Sequence, residues 1–419
     1  MGFQQGLSGL NAAAQNLNVI GNNVANANTV GFKQSQAQFA DVYASTLGGS
    51  GGLAAGIGTK ISTVAQQFGQ GNISVTNNPL DIAISGQGFY QLDNNGAIAY
   101  SRNGQFQLDK NGFIVNAQGH KLTGFAANPV TGAISLGSAV PLQVSTQSLT
   151  PLPSSTSSVG VNLDSRMSVP TTAVFSASDS TSYNSSTALT LYDSLGNSHI
   201  ATTYLVKNAT VNTWDVHMTV DGLGLDGTPA TATNTLLGTS PTLTFNTTGA
   251  LITPATGIVS IPGIVYATGS TTPQPLTINF LSSTQFGAAF AVNKLTQNGY
   301  TSGQLSGFNT SADGTIVGRY TNGQSKALGQ ILLANFANPQ GLQPLGNNEW
   351  SASASSGVVL IGTPGTSSLG VVQSSAVEDS NVDLTAELVN MILAQRVYQA
   401  NAQTIKTQDA VLQTITNLR

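Results

Sequence analysis

The chain has 419 residues, enough for two to four domains, yet only 7% of them are charged, against roughly 25% in ordinary soluble domains. A net charge of −4 with 13 Lys and Arg residues argues against a nucleic-acid partner, whose phosphates require clustered cations. There is no Cys, so a secreted form would rest on its cores without disulfides.

The amino terminus, "MGFQQGLSGLNAAAQ", lacks the basic and uninterrupted apolar regions of a cleavable secretory signal. No run of about twenty apolar residues is present, so no membrane-spanning helix is expected. Apolar or small residues instead fall at Phe3, Leu7, Leu10, Ala14, Leu17, Gly21 and Val24, the alternating steps of three and four that mark a helix packing along a seam. The first 32 residues also hold seven Asn and three Gln, and no charge precedes Lys33. Amides can bond to neighbours in a crowded interface, where an ion would face a large desolvation cost. The pattern breaks at "ANANTVGFK": Asn26 and Asn28 suit cap conformations, Gly31 stops the helix, and Phe32 is placed to anchor its exit.

Residues 33–70 read as an extended linker or arm, with "TLGGSGGLAAGIGTK" too Gly-rich for the interior of an element. From 71 to 145 short strands alternate with turns. "DNNG" and "DKNG" supply the positive φ angles of tight hairpins. Ile98 and Tyr100, Phe106 and Leu108, and Phe113 and Val115 alternate with mostly polar neighbours, predicting one buried face. Residues 146–285 turn more Thr- and Ser-rich and read as an inserted outer β-domain, with "ALTLYDSLGNSHIATTYLV" as a hairpin. The earlier hairpin style returns over 286–375.

At the carboxyl end Leu384, Met391, Tyr398, Ile405 and Leu412 recur every seventh residue, with Leu388, Gln395, Ala402, Asp409 and Thr416 as a companion row. Ser380 followed by Asp383 predicts a helix start. The acids Glu378, Asp379, Asp383 and Glu387, with bases further along, suit the helix dipole. The expected fold is α+β. Coiled-coil-like terminal helices (1–32 and 376–419) enclose a discontinuous β-rich domain (71–145 and 286–375), and a second β-domain is inserted in it.

Candidate reactive sites are sparse. His120, His199 and His217 lie far apart, and no Cys/His set has metal-ligand spacing. "DGLGLDG" lacks the alternating ligands and closing Glu of a calcium loop and reads as a turn. "GQGFYQ" and "GIGTK" lack the spacing of phosphate loops. No cofactor and no metal are expected, and the expectation is a structural protein rather than an enzyme.

Three stretches carry a family resemblance. "NNVANANTVGFK" resembles the amino-terminal signature of the bacterial flagellar rod and hook axial proteins. "NPLDIAISGQGFYQLDNNGAIAYSRNGQFQLDKNGFIVNAQGHKLTGF" is similar to their shared β-domain, and "VDLTAELVNMILAQRVYQANAQTIKTQDAVLQTI" to their terminal helix. "LYDSLGNSHIATTYLV" and "ALGQILLANFANPQGLQPLGNNEW" resemble the hook branch in particular. The resemblance implies a subunit that polymerises with itself into a flexible curved tube carrying motor torque from rod to filament. It implies terminal helices lining the tube and export, unfolded and with no cleaved signal, through the flagellar type III apparatus to the extracellular hook. Implied partners are the distal rod protein, the hook cap protein and the hook–filament junction protein. The residues expected to drive self-assembly are Leu7, Leu10, Leu17, Asn22, Asn23, Val24, Asn26, Thr29, Gly31 and Phe32, together with Leu384, Leu388, Met391, Gln395, Tyr398, Ala402, Ile405 and Leu412. The rival readings are the distal rod protein of the same family, a secreted β-rich adhesin and, more remotely, a glycosidase.

Overall fold

The computed structural model describes residues 2–42, 56–145, 147–237 and 242–417. Most of the Gly-rich stretch expected as a linker lies outside the described residues. Two helices bracket a β-rich middle: α1 (Gly2–Ala25) and α2 (Leu384–Asn417) pack against each other within one chain. The chain divides into two compact units. One comprises residues 1–146, 307–319 and 325–419; the other comprises 147–306 with 320–324. The second unit thus runs past the expected boundary at 285.

In the first unit, the chain leaving α1 forms an antiparallel ribbon of β1 (Ser35–Val42) and β2 (Gly58–Gln66). The segment expected as an extended arm therefore pairs with itself at its base. Next come β3 (Ile73–Val75), β4 (Ile82–Ser85), β5 (Phe89–Asn94) and β6 (Ala97–Ser101). A large sheet forms around β5 and β6 and recruits strands from beyond residue 307, among them Leu333–Phe336 on β5 and Glu349–Ser351 on β6. Residues 376–378, expected within the terminal helical segment, are instead a strand paired with β3. Likewise Val371–Ser374 pairs with β4. The β core closes only with the carboxyl-terminal part of the chain in place.

The hairpin chemistry accounts for the register. Asn95 and Gly96 both take positive φ, 51° and 96°, at the two central positions of a tight turn between β5 and β6. Gly96 N donates to Asp93 Oδ1 at 2.7 Å. In "DKNG" the Asp109 carboxylate accepts from Asn111 N and Phe113 N, both at 2.8 Å. The alternating residues are only partly buried, however. Tyr100, Phe106 and Val115 are inside, while Ile98 and Leu108 are exposed, because they lie on the ends of their hairpins.

The core has an aromatic centre. Phe68, Phe89, Phe336, Tyr100 and Trp350 meet edge to face with centroids 4.8–5.8 Å apart, the geometry favoured by ring quadrupoles. Trp350 Nε1 donates to Gln66 Oε1 at 2.6 Å, fixing the end of β2 to this core.

The second unit contains two five-stranded sheets that share one apolar core, with Leu163, Leu205, Trp214, Leu243 and Phe280 nearly or fully buried. The expected hairpin turns at "SLGN", where Asp193 Oδ1 accepts from Leu195 N and Asn197 N, each at 2.9 Å. "DGLGLDG" is a pair of turns, with Asp221 and Gly222 at positive φ. His217 sits in a strand, stacked on Phe175 at 4.1 Å.

Candidate assembly surface of the terminal helices

The two helices meet through their smallest side chains. On α1, Gly6, Ala12, Ala13, Ile20 and Asn23 are buried. A Cβ at Gly6 would lie 3.1 Å from Ile405, and one at Gly9 would lie 2.7 Å from the Asn401 amide. On α2 the inward positions are Glu387, Met391, Ala394, Asn401, Ala402, Ile405 and Gln408. Close approach of this kind needs Gly and Ala, since any longer side chain would hold the backbones apart.

The expected seam is therefore displaced. On α1, Phe3 and Leu7 are exposed, and Leu10, Leu17 and Val24 are half-buried beside the contact rather than within it. On α2 only Met391 and Ile405 of the first expected row turn inward. Their companion row is Glu387, Ala394, Asn401 and Gln408; of the expected companions only Ala402 turns toward the contact, and Leu388, Gln395 and Asp409 are exposed. Leu388 and Gln395 face outward, as do Leu384, Tyr398 and Leu412, while Ala402 is half-buried at the contact margin. Periodicity locates the most apolar stripe of a helix; here the stripe that pairs within the chain is the smaller one.

The amides also separate into two roles. Asn23 is 1% exposed. Its Nδ2 donates to Ser35 O at 2.8 Å and its Oδ1 accepts from Ser35 N at 2.9 Å, so it imitates a strand partner at the start of β1. The same Nδ2 reaches Glu387 Oε1 at 3.4 Å, tying α1 to α2. Asn23 is thus committed inside the chain, contrary to its expected place at an interface. Asn22 is exposed, and its backbone oxygen accepts from Asn26 Nδ2 at 2.9 Å as the helix ends. Thr29 Oγ1 donates to Asn26 Oδ1 at 3.2 Å, closing the following turn. Phe32 is half-buried just beyond it.

Gly31 and Lys33 dock this exit onto the β core. Gly31 has φ of +71°, and a Cβ there would lie 2.6 Å from Asn103 N and 2.8 Å from the Arg102 carbonyl carbon. Only Gly fits such a backbone approach. Gly31 N donates to Glu378 O at 2.8 Å. Lys33, expected merely as the first charge after the helix, is 1% exposed. Its Nζ donates to Glu378 Oε1 at 2.7 Å and to Gly69 O at 2.8 Å. Glu378 accepts further from Gly71 N at 2.8 Å and from Arg102 Nη1 at 3.1 Å. Burial pushes the Lys33 ammonium below its ordinary value, with the Glu378 carboxylate opposing the shift.

Sequence reasoning missed this triad because it assigned Glu378 to the helix dipole. In fact α2 starts at Leu384, and Asp383 caps it by accepting from Thr385 N and Ala386 N at 2.9 and 3.1 Å. Glu387 points inward. The signal available was scarcity: the chain has only three Glu, and Glu349, Glu378 and Glu387 are all buried. Glu378 accepts from Lys33, Gly71 and Arg102, Glu349 from Asn116, and Glu387 from Asn23 and Gln34 through one oxygen.

Beyond this intramolecular packing, α2 carries a set of large apolar side chains that stay exposed among the described residues. Leu384, Leu388, Ile392, Leu393, Val397 and Leu412 on α2 are 45–55% exposed. A groove of about 970 Å³ runs between the helices and the ribbon, lined by Val19, Phe39, Leu393 and Val397 among others. The groove is lined equally by amides such as Asn16, Gln34 and Gln67, and the large exposed apolar side chains beside it make this face a candidate interaction site.

Comparison with known proteins agrees with this anatomy. Residues 3–33 match the family described as "Flagella basal body rod protein", and residues 83–172 match "Flagellar hook protein FlgE/F/G D1 domain". Residues 162–300 match "Flagellar basal body protein FlaE D2 domain", and residues 373–418 match "Flagellar basal body rod FlgEFG protein C-terminal". The flagellar hook protein FlgE of Escherichia coli (strain K12) is 45% identical over 423 residues, covering 100% of both chains. That of Salmonella typhimurium is 44% identical with the same coverage. The crystal structure of Helicobacter pylori flagellar hook protein FlgE2 shares the fold, with a TM-score of 0.52 at 13% identity over 73% of this chain and 100% of that one. With full-length identity at this level, the chain belongs to the flagellar hook protein FlgE family and is a structural subunit of the extracellular flagellar hook, not an enzyme.

Proposed function

We propose that this hook subunit polymerises through the outward stripes of its terminal helices, and that the inward stripes serve only to hold each subunit's own helix pair. The observation that carries this is the division of labour just described. Gly, Ala and Asn, with Ile20, Met391 and Ile405, pair the two helices, while Leu384, Leu388, Ile392, Leu393 and Val397 stay exposed in a single chain. Burying such side chains against copies contributes roughly 1.5–3 kcal/mol each, ample for a polymer in which every subunit repeats the contact.

Bending is supported by the amides. Gln4, Asn11, Gln15, Asn18 and Asn22 are exposed on α1 at steps of seven, four, three and four, one line along the helix. A row of amides can exchange partners with small shifts of a neighbour, whereas ion pairs would hold one register. A tube so joined can flex while carrying torque. By family resemblance it meets the distal rod protein at one end, the cap and hook–filament junction proteins at the other, and the type III export apparatus on its way out.

The double substitution Leu388→Lys with Ile392→Lys tests the reading. The expected product is a folded monomer with unchanged circular dichroism that forms no tubes under electron microscopy. Tubes of normal appearance from this variant would refute it.

A further inference from the structure

Sheet edges offer unpaired N–H and C=O groups, and soluble proteins blunt them with Pro, charge or polar cover. This chain does so at several edges. Pro141 lies in strand Val140–Pro141, Pro262 in Ile258–Ile264, Lys294 in Ala291–Gln297 and Pro344 in Gln343–Gly346. The Ser185–Tyr192 edge is rich in Ser and Thr.

Strand Val359–Gly362 is different. It pairs on one side only, with Leu333–Phe336, matching Asn335 to Leu360 and Ala334 to Ile361. Among the described residues, its other side has no backbone partner. It contains neither Pro nor a charge. Val358 is 83% exposed, Leu360 62% and Ile361 49%. No charged residue occurs anywhere between Glu349 and Glu378.

We propose that this edge is a second assembly surface, on which another copy of the same chain lays an extended segment and lengthens the sheet by one strand. An uncharged rim gives no purchase to a charged partner such as nucleic acid or an anionic membrane. An unguarded apolar edge is a hazard for a protein that stays monomeric, and it is covered at once in a protein that lives among copies of itself. In an open helical polymer the contact is head to tail, so the segment that docks comes from a different part of the neighbour's surface than the edge itself. This surface lies on the β core, apart from the helical stripes. It rests on the reading that the chain polymerises.

The absence of Cys makes the test specific. Val358→Cys places a single thiol beside the edge, and its maleimide labelling is compared between dissociated subunits and sedimented tubes. The expected result is labelling slowed at least about tenfold in tubes, together with new protection of amides in 358–361 by hydrogen exchange, as strand addition requires. Leu360→Lys is expected to leave the monomer's melting unchanged and to raise the concentration needed for tube growth about tenfold or more. Tubes in which the thiol labels at the monomer rate overturn the edge and leave the helical reading standing. Slowed labelling without amide protection overturns strand addition. If neither the parent chain nor the variant forms tubes, the polymerisation reading fails and takes this one with it.

Discussion

The sandwich of the second unit and the terminal helix pair are built from similarly uncharged sequence, yet they complete their packing in opposite ways. The sandwich turns Trp214, Leu163, Leu205 and Phe280 into one shared core, so its apolar residues find partners inside the chain. The helix pair spends its Gly and Ala residues on its own contact and leaves Leu384, Leu388, Ile392 and Leu412 outside. Apolar content alone therefore does not say where a region finishes folding. What decides is whether the larger or the smaller side chains face the intramolecular partner. The first arrangement suits a domain that stands alone, and the second suits one completed by its neighbours.

The largest expected effect lies where the helical ends join the β core. Glu378→Ala strands Lys33 and Arg102 as buried cations, at a cost of about 3–5 kcal/mol. Calorimetry should show the transition of the first unit falling steeply while that of the sandwich stays in place; a common shift of both would break the comparison. By the same logic a chain ending at residue 383 should retain the β core, whereas one ending at 375 removes Glu378 and the strand paired with β3 and should lose it. Gly31→Ala is next. It sets a Cβ against the Arg102–Asn103 backbone at positive φ and should cost the first unit at least about 1–3 kcal/mol. A variant as stable as the parent would mean that the helix exit can be re-aimed freely.

The smallest effect sharpens the other side. Burial depresses His217 to about 4, below the roughly 6.5 of a free imidazole. Between those values the unfolded chain binds a proton that the folded sandwich does not. Stability of the second unit should therefore fall as pH drops from about 6.5 toward 4. The loss is complete below that window, and the neutral form is unpenalised above it. His217→Phe should flatten this part of the pH profile in urea melts of the sandwich. An unchanged profile would assign the acid sensitivity to the carboxylates instead.

Much of the architecture was legible because it is local. Seven-residue repeats revealed both helices, and Asn-Gly and Asp-containing turns gave the hairpins their places. The Thr- and Ser-rich composition sets in near 146, and the second compact unit begins at residue 147. The helix seam was legible only to within one residue. The stripe of Leu residues is more apolar than the stripe of Gly and Ala beside it, and hydrophobic periodicity follows the former. Asn23 looked like an interface amide, because nothing near it in sequence announces Ser35 and Glu387 as its partners.

By itself the sequence determined the two helices, the main hairpins and the family, since these follow from short-range periodicity, turn chemistry and contiguous motifs. Tertiary structure decided which helix face is spent inside the chain and which stays exposed. It also decided that the rare charges Lys33, Arg102 and Glu378 form a buried junction. Those outcomes depend on pairings across some 276 and 345 positions of chain, and the free energy of such contacts is set by geometry and desolvation that no local window of sequence contains.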